Sequence, residues 1–156
     1  MQIQLLAVGN RMPDWVNQGW NEYARRMPAH CALKLTEIAP GRRTKSSDIN
    51  TIIREEGERI INAIPRDCHV IALEVGGKQW STLELSKQME DWQHSGRNTI
   101  LLVGGPDGLS QDCVARANQK WSLSKLTLPH PLVRVVLAEQ LYRAWSVLTG
   151  HPYHRE

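Results

Sequence analysis

Phenylalanine is absent from this chain of 156 residues, and cysteine occurs only three times, as Cys31, Cys68 and Cys113. The count is odd, the spacings are wide and no C-x-x-C pair occurs. That pattern argues against a disulfide framework or a zinc site and for buried free thiols in a reducing compartment. No apolar run approaches the length of a membrane span. The N-terminus lacks a basic start followed by a long apolar stretch, so no secretory signal is expected and a cytoplasmic location is. Net charge is only +3, too little to diagnose nucleic-acid binding by itself. The six tryptophans do not form the aromatic pattern of a small RNA-binding module. Neither G-x-G-x-x-G nor G-K-[ST] occurs, which removes the dinucleotide fingerprint and the Walker-type loop. Repeats, linkers and low-complexity tracts are missing too, so residues 1–156 are expected to form one domain with a substantial core.

What is present is a strand–helix alternation. Ile3 to Val8 reads as a buried strand, and Pro13-Asp14 opens a helix that Pro28 stops. Leu33 to Ile38 is a second strand. Ser47 caps a helix with apolar positions from Ile49 to Ile64. Val70 to Val75 is a third strand, ending at Gly76-Gly77, and Ser81-Thr82-Leu83-Glu84 is a capping box. Thr99 to Val103 is the fourth strand, Ser110 caps a short helix to about Asn118, and Ser122 to Leu128 is the fifth strand. The long final helix runs from Leu132 to Thr149. Several strands are continuously apolar, as when helices cover both faces of a parallel sheet. The fold class is α/β, an open and mostly parallel sheet flanked by helices, with ligand loops at the strand C-termini.

Two of those loops stand out. Gly104-Gly105-Pro106-Asp107-Gly108 follows a strand, and glycines let a ligand approach the backbone; the plainer reading is a turn. Leu126-Thr127-Leu128-Pro129-His130-Pro131 is rigidified by two prolines that hold the preceding residues extended; the plainer reading is a corner with Pro131 near the first helical position. Beyond them, Leu137, Leu141, Ala144 and Leu148 form an apolar stripe that Ala138 and Trp145 broaden, more than one core contact needs. Glu139 and Arg143 are spaced to pair on the polar face. Arg25-Arg26 and Gly41-Arg42-Arg43-Thr44-Lys45 are basic clusters, either solvated surface or phosphate contacts. The chain stops at a tail rich in ring and guanidinium groups, Tyr153-His154-Arg155.

The strings GGPDGLS, LTLPHPLVRVVLAEQLYRAWS and HPYHRE, with Leu5-Leu6-Ala7-Val8-Gly9 and Pro13-Asp14-Trp15, resemble the RlmH family. These are SPOUT-class methyltransferases acting on pseudouridine in large-subunit ribosomal RNA. The resemblance spans essentially the whole chain. Asp107 departs from the family's Glu, keeping the charge and shortening the reach. The resemblance implies a C-terminal trefoil knot, which periodicity alone does not give, and a homodimer joined through the last helix. It implies an S-adenosylmethionine pocket formed by Leu73, Gly104, Gly105, Ser124, Lys125, Leu126, Thr127, Leu128 and Pro129. It also implies a substrate, 23S rRNA within the large subunit or the whole ribosome, methylated at N3 of a pseudouridine.

The methyl donor is already activated, so no metal is needed. The N3 proton must leave as the methyl arrives, and Glu139 and His154 are the candidate acceptors, with Arg143 as a third member of the catalytic group. Arg143, Tyr153, His154 and Arg155 are the candidate RNA contacts, through stacking and phosphate binding. Two other classes stay open: a non-catalytic ribosome-binding factor that binds the cofactor, and a flavodoxin-like nucleotide binder.

Overall fold

The computed structural model describes residues 1–155. Five strands, Gln2–Val8 (β1), Ala32–Ile38 (β2), His69–Gln79 (β3), Thr99–Val103 (β4) and Gln119–Ser122 (β5), form one sheet in the order β2-β1-β4-β3-β5. Every neighbouring pair is parallel. Parallel neighbours need long crossovers, and the helices supply them: Asp14–Ala24 (α1), Ile49–Ala63 (α2), Thr82–Ser95 (α3), Gln111–Arg116 (α4) and His130–Thr149 (α5).

The sheet is covered on both faces. β1 alternates, sending Ile3, Leu5 and Ala7 into one core with α1, α3 and α5, and Leu6 and Val8 into the other with α2 and α4. β4 lies in the middle and is buried at every position. Two asparagines pin the strand starts. Asn98, just before β4, accepts from His69 N–H through its carbonyl and from Gln2 N–H through its side chain, both at 2.9 Å. Asn118, just before β5, donates to the Val70 carbonyl at 2.7 Å and accepts from the Val70 N–H at 2.9 Å. The three cysteines are buried and free, and among the described residues no helix is long and apolar enough to cross a membrane.

The α/β reading and its five strands hold, with boundary corrections near the ligand loops. β3 does not stop at Gly76-Gly77; it shifts register between Leu73 and Lys78 and continues to Gln79 alongside β5. Gly77 makes that possible, because a Cβ there would sit 2.7 Å from the Trp121 nitrogen. β5 ends at Ser122 rather than running from Ser122 to Leu128. Beyond it, Ser122 Oγ donates to the Ser124 carbonyl and Ser124 Oγ accepts from Leu126 N–H, local bonds that compete with a ladder. α5 starts at His130 with Pro131 in its first turn, and Asp48, not Ser47, caps α2.

Candidate functional site

The C-terminal ends of β3, β4 and β5 open into a cavity of about 610 Å³, within the range of small-molecule sites. The Gly104–Gly108 loop forms one wall. Gly108 N–H donates to the Gly105 carbonyl at 3.0 Å, and Gly108 has φ of 85°, which suits glycine. A Cβ on Gly104 would lie 2.5 Å from the Gly108 carbonyl carbon, so the loop closes only with hydrogen at that position.

The opposite wall is the 122–129 loop. Leu73, Gly104, Gly105, Ser124, Leu126, Thr127, Leu128 and Pro129 all line the cavity. Lys125 does not: it is exposed and is not among the lining residues. The structure adds Glu74, Val103, Leu109, Trp121, Leu123 and His130, among others. Three of these, Glu74, Val103 and Trp121, belong to strands, so their positions depend on register. His130 occupies the first position of α5 at the cavity edge. Burial, followed by the charges of Arg134 and Arg43, holds its imidazole below the ordinary value, while Glu56 opposes the shift. Both causes favour the neutral ring.

Two cations lie close to the cavity without lining it. Arg134, on the first turns of α5, is 1 % exposed; it donates to Glu37 and to the Gly9 carbonyl, each at 2.8 Å. Arg43, from the basic loop, does not project freely toward solvent. It donates to both carboxylate oxygens of buried Glu56, at 2.8 and 3.3 Å, and to Asp107 at 3.1 Å. Arg42, Arg43 and Lys45 are all exposed in that loop, and Arg43 is distinguished by the carboxylates that hold its guanidinium.

A second polar group lies toward the other end of α5. Arg143 Nε donates to Glu139 at 2.8 Å, and the Arg143 guanidinium covers the Tyr153 ring at 5.1 Å. Tyr153 packs on Tyr142, centroids 4.6 Å apart, and near Tyr23. Burial and a hydrogen bond with Tyr23 push its hydroxyl up to about 12. Arg26, paired with Glu22, lies over the same three tyrosine rings. The tail is thus docked rather than frayed, which its position at a terminus did not suggest.

His154 Nδ1 is 3.0 Å from Ser146 Oγ, and Ser146 donates its hydroxyl hydrogen to the Arg143 carbonyl at 2.7 Å. A hydroxyl has one hydrogen, so Nδ1 must donate, and in the neutral ring Nε2 is left as the basic nitrogen. Ser146 is a residue the sequence reading missed. Its position two turns before His154 carried no signal until the tail was seen to fold back. Arg155 is exposed.

Glu139, Arg143 and His154 come together, but not at the cavity of their own chain. At a rise of 1.5 Å per residue, Glu139 and Arg143 stand roughly 14 to 20 Å along the helix from His130.

A family model described as "Predicted SPOUT methyltransferase" matches residues 1–154. A protein from Hahella chejuensis named Ribosomal RNA large subunit methyltransferase H is 62% identical over 156 residues, covering 100% of both chains. Proteins of the same name from Thioalkalivibrio sulfidiphilus and Methylococcus capsulatus are 59% and 57% identical, each over its full length. Among solved structures, a probable methylase family protein from Haemophilus influenzae superposes with a TM-score of 0.55 at 13% identity, covering 99% of this chain and 70% of that one. At that identity the likeness concerns the fold alone.

Proposed function

Because the chain belongs to the SPOUT methyltransferase family and aligns over its full length with methyltransferase H proteins, we propose that it methylates N3 of a pseudouridine in 23S rRNA, using S-adenosylmethionine. The observation that carries this reading is the cavity at the strand ends, walled by the Gly104–Gly108 and 122–129 loops. Its volume suits a nucleoside-sized ligand, and Leu73, Val103, Leu109 and Leu128 offer aliphatic faces for a purine. No Lys or Arg is among the described residues lining the cavity and Glu74 is, which suits a positively charged ligand. The residues present fit the group.

When bound, S-adenosylmethionine supplies a methyl group activated on a sulfonium. The chain supplies the rest. Arg143 and Arg155 provide cationic contacts for phosphate. His154, through Nε2, accepts the N3 proton as the new bond forms, and Glu139 holds Arg143 in place. Holding the base still against the cavity supplies much of the rate.

The separation along α5 supports a homodimer in which one protomer's Glu139, Arg143 and His154 serve the partner's cavity. Half-buried Val133, Trp145 and Leu148 on α5 leave apolar surface for that contact. The reading places the protein in the cytoplasm, on the large subunit or the whole ribosome.

The deciding experiment is mass spectrometry of rRNA from cells with and without this protein. Loss of one methylated pseudouridine on deletion, restored by the wild-type gene, is the expected result. Cofactor binding with no change in rRNA would favour the non-catalytic ribosome-binding reading. Light scattering at micromolar concentration should report about twice 17.7 kDa, and an active monomer would sink the shared site.

A further inference from the structure

The ionic cluster behind the Gly104–Gly108 loop lies outside the machinery described above. Glu56 is a carboxylate in the middle of α2 with only 2% of its surface exposed. It accepts from Gly41 N–H at 2.8 Å and from both terminal nitrogens of Arg43. An apolar side chain would pack a helix at least as well, because the cost of desolvating two charges consumes most of what their pairing returns. The geometry around the pair supplies a reason for it.

The pair touches the cavity loop from behind at two points. A Cβ placed on Gly105 would meet Glu56 Oε1 at 3.3 Å and Arg43 Nη2 at 3.4 Å, so the Gly105 backbone lies directly on the pair. The same guanidinium reaches past Pro106 to Asp107, with Nε and Nη2 both 3.1 Å from Oδ2. One planar fork thus grips a carboxylate of α2 and the loop on either side of Pro106. The next residue of α2 continues the contact: Gly57 has no side chain because a Cβ there would fall 2.2 Å from Ser110 Oγ, at the cap that ends the loop. Glycine inside a helix is less favourable than alanine, and this close approach accounts for it.

We propose that Arg43 and Glu56 are positioning residues for methyl transfer: an ionic brace, anchored on buried Glu56, that fixes the Gly104–Gly108 loop in the shape that receives the methyl donor. The proposal rests on the cavity being the methyl-donor site. It assigns Arg43 to the cofactor side of the reaction and leaves phosphate contact in the basic loop to Arg42 and Lys45.

The test uses the full-length protein and calorimetry with S-adenosylmethionine. Wild type is measured first; absence of binding there would refute the reading of the cavity, separately from the brace. If wild type binds, Arg43→Ala and Asp107→Asn should each weaken cofactor affinity, Arg43→Ala by roughly tenfold. KM for the cofactor should rise, while kcat at saturating cofactor and KM for ribosomes stay near wild type. Arg43→Lys keeps the charge but cannot present the fork, so it should recover the melting temperature but not the affinity. In the unliganded protein, the amide signals of Gly105 and Gly108 should shift in Arg43→Ala. Normal cofactor affinity in folded Arg43→Ala would overturn the proposal. So would a variant whose only defect is a salt-dependent rise in KM for ribosomes, which would make Arg43 an RNA contact. A fall in melting temperature with unchanged cofactor affinity would make the cluster structural only and would equally overturn it.

Discussion

Arg134 donates a hydrogen bond to the carbonyl oxygen of Gly9 at 2.8 Å, joining two residues 125 positions apart in the chain. Its other terminal nitrogen donates to Glu37. The guanidinium therefore ties the ends of β1 and β2 to the first turns of α5, and so holds the helix that begins at the cavity edge.

Removing that side chain should cost the fold dearly. Arg134→Ala would strand the Gly9 carbonyl and open a void, at a cost of about 2–4 kcal/mol. Glu37 is partly exposed and can be rehydrated, which keeps the figure below that of a fully buried pair. Urea unfolding followed by tryptophan fluorescence measures it, and a loss below about 1 kcal/mol would show that water satisfies the site.

The docked tail makes Tyr153 a packing residue as well as a candidate RNA contact. Tyr153→Ala should lower stability by about 1–2 kcal/mol through lost contact with Tyr142 and Tyr23. It should also reduce methyl transfer to ribosomes while leaving cofactor affinity intact. Differential scanning calorimetry and a methyl-transfer assay on one preparation separate the two effects. An unchanged melting temperature would mean that the ring does not hold this position in solution.

His130 gives stability a pH dependence of definite sign. Its folded-state value lies below the ordinary imidazole value of 6.5, from burial first and the nearby arginines second. The unfolded chain therefore takes up its proton at a higher pH than the folded chain does. The contribution is fully present above the unfolded value and is lost as pH falls through 6.5 toward the folded value. His130→Gln should remove this component. The gap in urea midpoint between wild type and variant should narrow on going from about pH 7.5 to about pH 5. A gap that widens on acidification would reverse the sign.

The two adjacent loop glycines should respond unequally to the same methyl group. On Gly104 it would strike Gly108 backbone at 2.5 Å, whereas on Gly105 it would meet the Val8, Glu56 and Arg43 side chains at 3.1 to 3.4 Å. Gly104→Ala should abolish cofactor binding and lower the melting temperature, because backbone must move. Gly105→Ala should leave the protein folded with a several-fold loss of affinity, and Gly105→Val should lose most of it. Equal effects at the two positions would contradict this loop geometry.

Periodicity made the helices and the apolar strands legible, because burial on one stripe or on both faces writes itself into hydrophobic spacing. The cavity walls were half legible. Gly104-Gly105 and Leu126 to His130 announced themselves through glycine and proline, while Glu74 and Trp121 did not, since their place depends on how β3 shifts register beside β5. The fifth strand lies earlier than the sequence pattern suggests, because Leu126-Thr127-Leu128 looks extended and apolar, whereas the serine hydroxyls before it favour a loop. Arg43 read as a surface cation because its partners, Glu56 and Asp107, lie 13 and 64 residues away. Long-range ion pairs leave no local pattern. Ser146 was invisible for the same reason until the chain folded back onto α5.

Tolerance to changes in length is uneven along this molecule. α5 carries a cavity residue at its first position and Arg143 most of the way along its twenty residues. One residue inserted between them would turn everything downstream by about 100° and advance it about 1.5 Å. Three or four would restore the facing but move the distal group by about 5 Å. The loop between β2 and α2 has no such arithmetic beyond Arg43, since its Thr44–Ser47 turn closes on itself. Insertions and deletions in working versions of this protein should therefore collect there and be missing from the span between His130 and Ser146, where the residue count is itself a dimension of the site.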